Sequence, residues 1–234
     1  MPTVEVQWLG QVEYAKAWDR QKELVAARSG ERDDDRLLLL EHPPVYTLGR
    51  SGRIENLLLD EEARRREGIA LHWVDRGGDI TYHGPGQLVG YPILNLKRLY
   101  RARGFARPDL HHYLREIEET VIQALETFGI RGRRYEGYTG VWVDADDGPR
   151  KIAAIGVKVS SKGISSHGFA LNVCPNLGHF EGIVPCGIEE HGVTSMAEIL
   201  KRPVTVEDVL SPVIAAFAGV FRADVRFVTS PLPA

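Results

Sequence analysis

The spacing of apolar residues changes period along the chain. Val4 to Leu9 alternates apolar with polar, the period-two mark of a strand. Tyr14, Ala17, Trp18, Leu24 and Val25 then recur at helical spacing and predict a helix that stops at Gly30. Asp33-Asp34-Asp35 reads as a solvated loop. The run Leu37-Leu38-Leu39-Leu40 predicts a buried strand, closed by Glu41-His42-Pro43-Pro44 and followed by a short strand over Val45 to Leu48. Asp60 is placed to cap a short, charged helix running to Gly68.

Ile69 to Val74 and Gln87 to Leu96 read as strands on either side of a glycine-rich turn. Pro108 opens the clearest helix of the chain. Its apolar positions Leu110, Tyr113, Leu114, Ile117, Val121, Leu125 and Phe128 bury one face, and Gly129 ends it. From Arg131 to Val173 the pattern is all strand: Gly140 to Val143, Lys151 to Val159 and Ile164 to Val173, with turns at Asp146-Asp147-Gly148-Pro149 and Lys162-Gly163, as in an antiparallel meander. Ser195 to Glu198 and Thr205 to Asp208 resemble capping boxes before two C-terminal helices, and residues 230–234 read as a flexible tail. No internal repeat or composition shift marks a boundary. Strands grouped with strands and flanked by helices predict an α+β architecture in one domain over residues 1–234.

Composition narrows the function classes. A hydrophobic share of 43% supports a packed core, and a net charge of −3 argues against a protein whose work is neutralising nucleic-acid phosphates. Two cysteines, Cys174 and Cys186, are too few for a disulfide framework, and the N-terminal residues lack the basic and apolar stretches of a signal peptide; both point to a reduced, cytoplasmic setting. The Leu37–Leu40 run falls far short of the roughly 20 residues that span a bilayer, so no membrane segment is expected. Against the negative total, Lys97, Arg98, Arg101, Arg103 and Arg107 crowd one segment without a carboxylate, which is either a solvated loop or a surface that steers an acidic partner.

Candidate chemistry falls in three places. The segment from Arg76-Gly77-Gly78-Asp79 through Ile80-Thr81-Tyr82-His83 to Gly84-Pro85-Gly86-Gln87 places glycines among polar groups, which suits a tight turn or a close backbone approach to a ligand; neither nucleotide fingerprint is present. Cys186 stands between Pro185 and Gly187 and reads either as a small buried hydrophobe or as a nucleophile on a sharp turn, whereas Cys174, after a strand, suits the buried role. A thiolate needs a cation or base, and His83, His167, His179, Lys151 and Lys158 all remain open. Period-two spacing puts Lys151 on one apolar face with Ala153, Ile155 and Val157, where it either snorkels or is partly desolvated. No CxxC or HExxH pair supports a metal site.

Taken in order, His42-Pro43-Pro44-Val45-Tyr46-Thr47-Leu48-Gly49, Arg76-Gly77-Gly78 through Gly90, Lys151 through Val157, His167-Gly168-Phe169-Ala170-Leu171-Asn172 and Val184-Pro185-Cys186-Gly187 resemble the octanoyltransferase family of lipoate synthesis over nearly the whole chain. The resemblance implies a mixed α/β unit with curved sheets, like the catalytic domains of biotin- and lipoate-protein ligases. It implies that Cys186 takes octanoyl from octanoyl-acyl carrier protein as a thioester, that a lysine of a lipoyl domain resolves it, and that Lys151 favours the thiolate and relays protons. The acceptors implied are the lipoyl domains of 2-oxoacid dehydrogenase complexes and the glycine cleavage H protein. Arg76, Gly77, Gly78, Asp79, Ile80, Thr81, Tyr82 and His83, with Ala154, Ile155 and Gly156 and with His167, Gly168 and Phe169, would bind the acyl substrate. Thioester to amide runs downhill, so neither ATP nor a metal or other cofactor is implied. The rival readings are an ATP-dependent lipoate-protein ligase and a non-catalytic relative that binds an acyl or acyl-carrier ligand.

Overall fold

The structure is a computed structural model and describes residues 2–28, 35–184 and 191–228. Among these residues the strands β1 (Thr3–Gln11), β2 (Asp35–Glu41), β6 (Gln87–Ile93), β7 (Arg133–Tyr135), β8 (Tyr138–Ala145), β9 (Gly148–Val159), β10 (Ser165–Asn172) and β11 (Asp224–Phe227) form one sheet in the order β11-β1-β2-β6-β10-β9-β8-β7. A smaller sheet holds β3 (Val45–Leu48), β4 (Ala70–Trp73) and β5 (Ile80–His83) in the order β4-β3-β5. The expected meander is present, since β7 to β10 pair antiparallel in sequence, while β1 runs parallel to both β2 and β11.

The four-leucine run forms β2 at the middle of the sheet. Leu37 and Leu39 enter a core shared with α4 (Leu110–Glu126) and α6 (Val206–Phe221), while Leu38 and Leu40 point to the other face, beneath α1 (Tyr14–Ala27). Both faces are therefore dry, which is why the run shows no alternation. α6 carries the full capping box: Thr205 caps Asp208 N–H and the Asp208 carboxylate accepts from Thr205 N–H. α5 (Met196–Leu200) has only the first half, because Glu198 turns to Thr194 and Arg150 instead. Asp60 caps α2 (Glu61–Arg66) as expected. No helix among the described residues is long and apolar enough to cross a membrane.

Several sequence expectations need correction. The glycine-rich turn after Val74 contains a strand: β5 is buried throughout and pairs antiparallel with β3, its β-forming Ile-Thr-Tyr core having been hidden by flanking glycines. The basic segment begins as a helix, α3 (Leu96–Ala102), capped by Asn95. Two of its arginines are engaged inward, Arg98 with Asp35 at 3.0 Å and Arg103 with Glu116 at 2.5 Å, so they do not belong to a free basic surface. Asp35 is no loop residue. It is 0% exposed, pairs also with Arg28 at 2.7 Å and accepts Asn95 N–H at 2.8 Å. α4 starts at Leu110 under an Asp109 cap, one turn residue beyond Pro108. The strand β11 and the short 3-10 turns at Ile54–Asn56 and Leu177–Gly182 carried no pattern strong enough to predict them. Gly30, Asp33, Asp34 and the expected tail at 230–234 lie outside the described residues.

Candidate functional site

β9 and β10 pair so that Ala154 faces Ala170 and Gly156 faces Gly168, giving the sheet a floor without side chains larger than methyl. The small sheet and α1 roof this floor. A cavity of about 40 Å³ between them is lined by Arg76, Gly78, Thr81, His83, Ala154, Ile155, Gly156, His167, Gly168 and Phe169, all expected from the sequence, and also by Tyr14, Tyr91 and Ala170, which were not. A second cavity, of about 20 Å³, adjoins it through Thr81, Ala154 and Ala170 and contains Lys151, Gln87, Asn172, Phe180 and Val193. Phe180 and Val193 in turn line an open cleft of about 550 Å³, with Arg150, Glu181, Ile183, Val184, His191 and Glu198 along its walls. The three spaces form a series from the surface inward, with Lys151 in the middle one.

Lys151 arrives there by a β-bulge. Trp142 pairs with Lys151 and the preceding Val141 pairs with Ala153, so Ile152 is an extra residue on β9. Ile152, Ala153, Ile155 and Val157 pack on the α4–α6 side, while Lys151 joins Ala154 on the cavity side. The period-two expectation that Lys151 shares a face with Ala153, Ile155 and Val157 is thus overturned at the bulge. Lys151 is 7% exposed, and its Nζ lies 4.8 Å from the centre of the Trp142 ring, within cation–π range. Trp142 itself belongs to an aromatic group with Tyr135, Tyr138 and His191.

The remaining motif residues divide by position. Arg76 is clamped by Thr47, its Nη2 donating to Thr47 O at 2.7 Å and Oγ1 at 2.9 Å. The turn it opens crosses Gly49 so closely that a Cβ there would lie 2.2 Å from Gly78 O, hence glycine at 49. Asp79, Ile80, Tyr82 and Gly77 do not line the described cavities. Asp79 accepts Arg53 N–H at 2.9 Å and Ile80 N–H at 2.7 Å and also binds Asn56; Ile80 is core; Tyr82 O–H meets His179 Nδ1 at 2.7 Å; Gly77 N–H donates to Val157 O.

The imidazoles around the cavity are neutral by burial. His42 Nδ1–H donates to Val12 O at 2.6 Å and Nε2 accepts Tyr91 O–H at 2.7 Å; desolvation outweighs the Val12 hydrogen bond and brings this histidine down to about 4. Gln87 Nε2 donates to Tyr82 O and Asn172 Oδ1, so its Oε1 accepts from His83 Nδ1–H at 3.2 Å, leaving His83 Nε2 as an acceptor. Burial holds His83 well below its usual value, with His42 and Arg76 adding to the effect. His167 adopts φ +56°, rare for a side chain with a Cβ, and its Nε2 meets Asp75 at 2.8 Å. Burial lowers it, against the pull of Asp75. Burial raises Asp75, but hydrogen bonds to Lys158 and His167 outweigh that and hold it near 2.

Among the candidate thiol partners, Lys158 is thus committed to Asp75 and His179 to Tyr82. Cys174 is exposed rather than buried, correcting the sequence reading, because the chain leaves β10 at Asn172 and turns over Gly86; desolvation and the carboxylates of Glu41 and Glu207 push its thiol upward, away from thiolate chemistry. Pro185, Cys186 and Gly187 lie outside the described residues. Their flanks do not: Val184 N–H donates to Asn56 O at 2.8 Å, and after the segment Lys151 N–H donates to Gly192 O and Thr194 N–H to Lys151 O, each at 3.0 Å.

The chain is similar to known proteins over most of its length. The chain is 50% identical over 212 residues to an octanoyltransferase of Rubrobacter xylanophilus, covering 90% of each, and 44% identical over 226 residues to an octanoyltransferase of Chloroflexus aurantiacus, covering 97% of each. Its fold matches a bi-partite lipoate protein ligase of Thermoplasma acidophilum with a TM-score of 0.77 at 17% identity, over 98% of this chain and 89% of the other, as the expected ligase-like α+β architecture requires. Residues 13–218, which span both inner cavities, Lys151 and the flanks of Cys186, match the lipoyl protein ligase A/B catalytic domain, and the chain belongs to that family.

Proposed function

We propose that the protein transfers octanoyl from octanoyl-acyl carrier protein to a lysine of a lipoyl domain through a thioester on Cys186, with Lys151 as the proton-transfer group. The transferase activity rests on the 43–50% identity to octanoyltransferases; the observation that carries the chemistry is the burial of Lys151 midway between the surface cleft and the small-residue floor. Further support comes from the strand bonds between Lys151 and Gly192 and Thr194, which tie the exit of the Cys186 segment to the lysine's own backbone.

In this reading the Cys186 thiolate attacks the carbonyl carbon of the incoming thioester, the carrier's C–S bond breaks, and the carrier sulfur takes a proton from Lys151. The acceptor amine then attacks the Cys186 thioester, the amide forms as the cysteine sulfur leaves, and Lys151 takes the proton shed by nitrogen. Burying the acyl chain over Ala154, Gly156, Gly168 and Ala170 contributes about 0.8 kcal/mol per methylene. The described cavity is smaller than such a chain, so its walls part on binding. The chain acts as one catalytic unit, in a reducing cytoplasmic setting, on protein substrates that include the lipoyl domains of 2-oxoacid dehydrogenase complexes and the glycine cleavage H protein. No metal or ATP takes part.

The shared fold makes an ATP-dependent lipoate-protein ligase the rival. Intact-mass spectrometry of the protein with octanoyl-acyl carrier protein, without ATP, separates them. One hydroxylamine-labile octanoyl mass, absent in Cys186→Ser and slow to form in Lys151→Ala, is the expected result. No adduct, with ATP-dependent transfer of free octanoate, gives the ligase; neither activity gives the binding relative.

A further inference from the structure

The buried carboxylate of Glu118, on α4, takes no part in the chemistry above. It is 0% exposed, and its oxygens accept Gly140 N–H at 3.1 Å, Arg134 Nε–H at 3.0 Å and Arg115 Nη1–H at 2.6 Å. Burying a carboxylate is costly, and charge balance alone would be met as well at the surface, where both arginines partly lie. The bond that needs the buried position is the one to Gly140. Gly140 has φ +123°, and a Cβ there would stand 2.6 Å from Ala153 O and 3.5 Å from Lys151 Cε. It lies directly before Val141 and Trp142, which flank the bulge on β8, and so walls the methylene stem of Lys151.

We propose that Glu118 is a positioning residue: by fixing the Gly140 peptide it holds the β8–β9 bulge that aims Lys151 at the acyl site instead of into the core. The inference rests on the role given to Lys151 above. Loss of the acceptor leaves Gly140 N–H buried and unpaired, and the bulge relaxes toward regular pairing, which turns Lys151 to the opposite face.

The test measures kcat and KM for octanoyl-acyl carrier protein in wild type, Glu118→Met, Glu118→Gln, Gly140→Ala, Lys151→Ala and the Glu118→Met/Lys151→Ala double variant, at temperatures well below each Tm. Glu118→Met is expected to lower kcat at least tenfold with KM changed less than threefold. Glu118→Gln, which keeps an acceptor for Gly140, recovers most of the rate, and Glu118→Met adds no further loss in the Lys151→Ala background. A slow Lys151→Ala beside a folded Glu118→Met with wild-type kcat overturns the positioning role, as does a full additive loss in the double variant. Wild-type kcat in Lys151→Ala instead overturns the role of the lysine and this inference with it. Where Glu118→Met fails to fold, Gly140→Ala decides, and wild-type kcat in that variant overturns the proposal.

Discussion

His42 is expected to make the protein acid-sensitive well above the range in which carboxylates titrate. Its imidazole is 0% exposed and neutral, with both nitrogens engaged, by Val12 O and by Tyr91 O–H. A proton on Nε2 would face the Tyr91 hydroxyl proton inside the core. In the unfolded chain the residue titrates near 6.5, in the folded protein near 4. Between those values the unfolded state binds the proton first, so this contribution to stability is complete above about pH 6.5 and falls away as the pH drops toward 4. At about 1.4 kcal/mol per pH unit of difference, the full effect is about 3 kcal/mol, of which about 2 kcal/mol is lost by pH 5. Urea unfolding of wild type and His42→Gln at pH 7 and pH 5 isolates it, since His83, His167 and the carboxylates contribute equally to both proteins. Wild type should lose about 2 kcal/mol more than the variant on acidification. Equal losses in the two proteins would refute the assignment of a buried neutral His42.

Further expectations follow from the cavity walls. Ala154→Leu should block the junction of the inner cavities and cost the binding of about three methylenes, some fifty-fold in kcat/KM for octanoyl, while butanoyl transfer by the same variant stays near wild type; equal losses for both chain lengths would count against the acyl path. Gly168→Ala places a methyl 2.1 Å from Gly90 O, so thermal denaturation should show a fall in stability of about 3 kcal/mol or no folded protein. Asp75→Asn should weaken the hold on His167 and Lys158 and, given the partial exposure of Asp75, cost about 1 kcal/mol at pH 7 in urea unfolding, a difference that disappears as the pH falls through about 2. Cys174→Ser should leave acyl transfer unchanged in the intact-mass assay.

Much of the fold was legible because its signals are local. Leu37–Leu40, closed by Pro43-Pro44, reads as a buried strand, α4 writes its buried face in seven apolar positions, and Thr205 and Asp208 announce α6. What escaped was set by distance. Asp35 sits in an acidic triplet, and only the arrival of Arg28 and Arg98 from other elements makes it core. The glycine-rich segment from Arg76 stood out in the sequence and the other cavity residues were implied by the family resemblance, yet Tyr14 and Tyr91 look like any buried aromatic until α1 and β6 bring them together. The bulge at Ile152 shows the limit most plainly. A period-two reading of Lys151 to Val157 fails by one residue there, and the residue that absorbs the slip, opposite Val141 and Trp142, is invisible without its partner strand.

The pairing of β1 with β11 links residues 3–6 to 224–227 and is reinforced by an ion pair between Glu5 and Arg226. On a ribosome, β1 emerges among the first elements and β11 after all the other described ones, so the outer edge of β1 stays uncovered through nearly the whole of synthesis. Sheet growth from β2 across to β7 can proceed meanwhile, but closure of this edge waits for the last strand. A chain cut short before Asp224 would keep an open, alternating edge, the kind that pairs with other chains, and its failure would be recorded as aggregation while the strands around Lys151 were already paired.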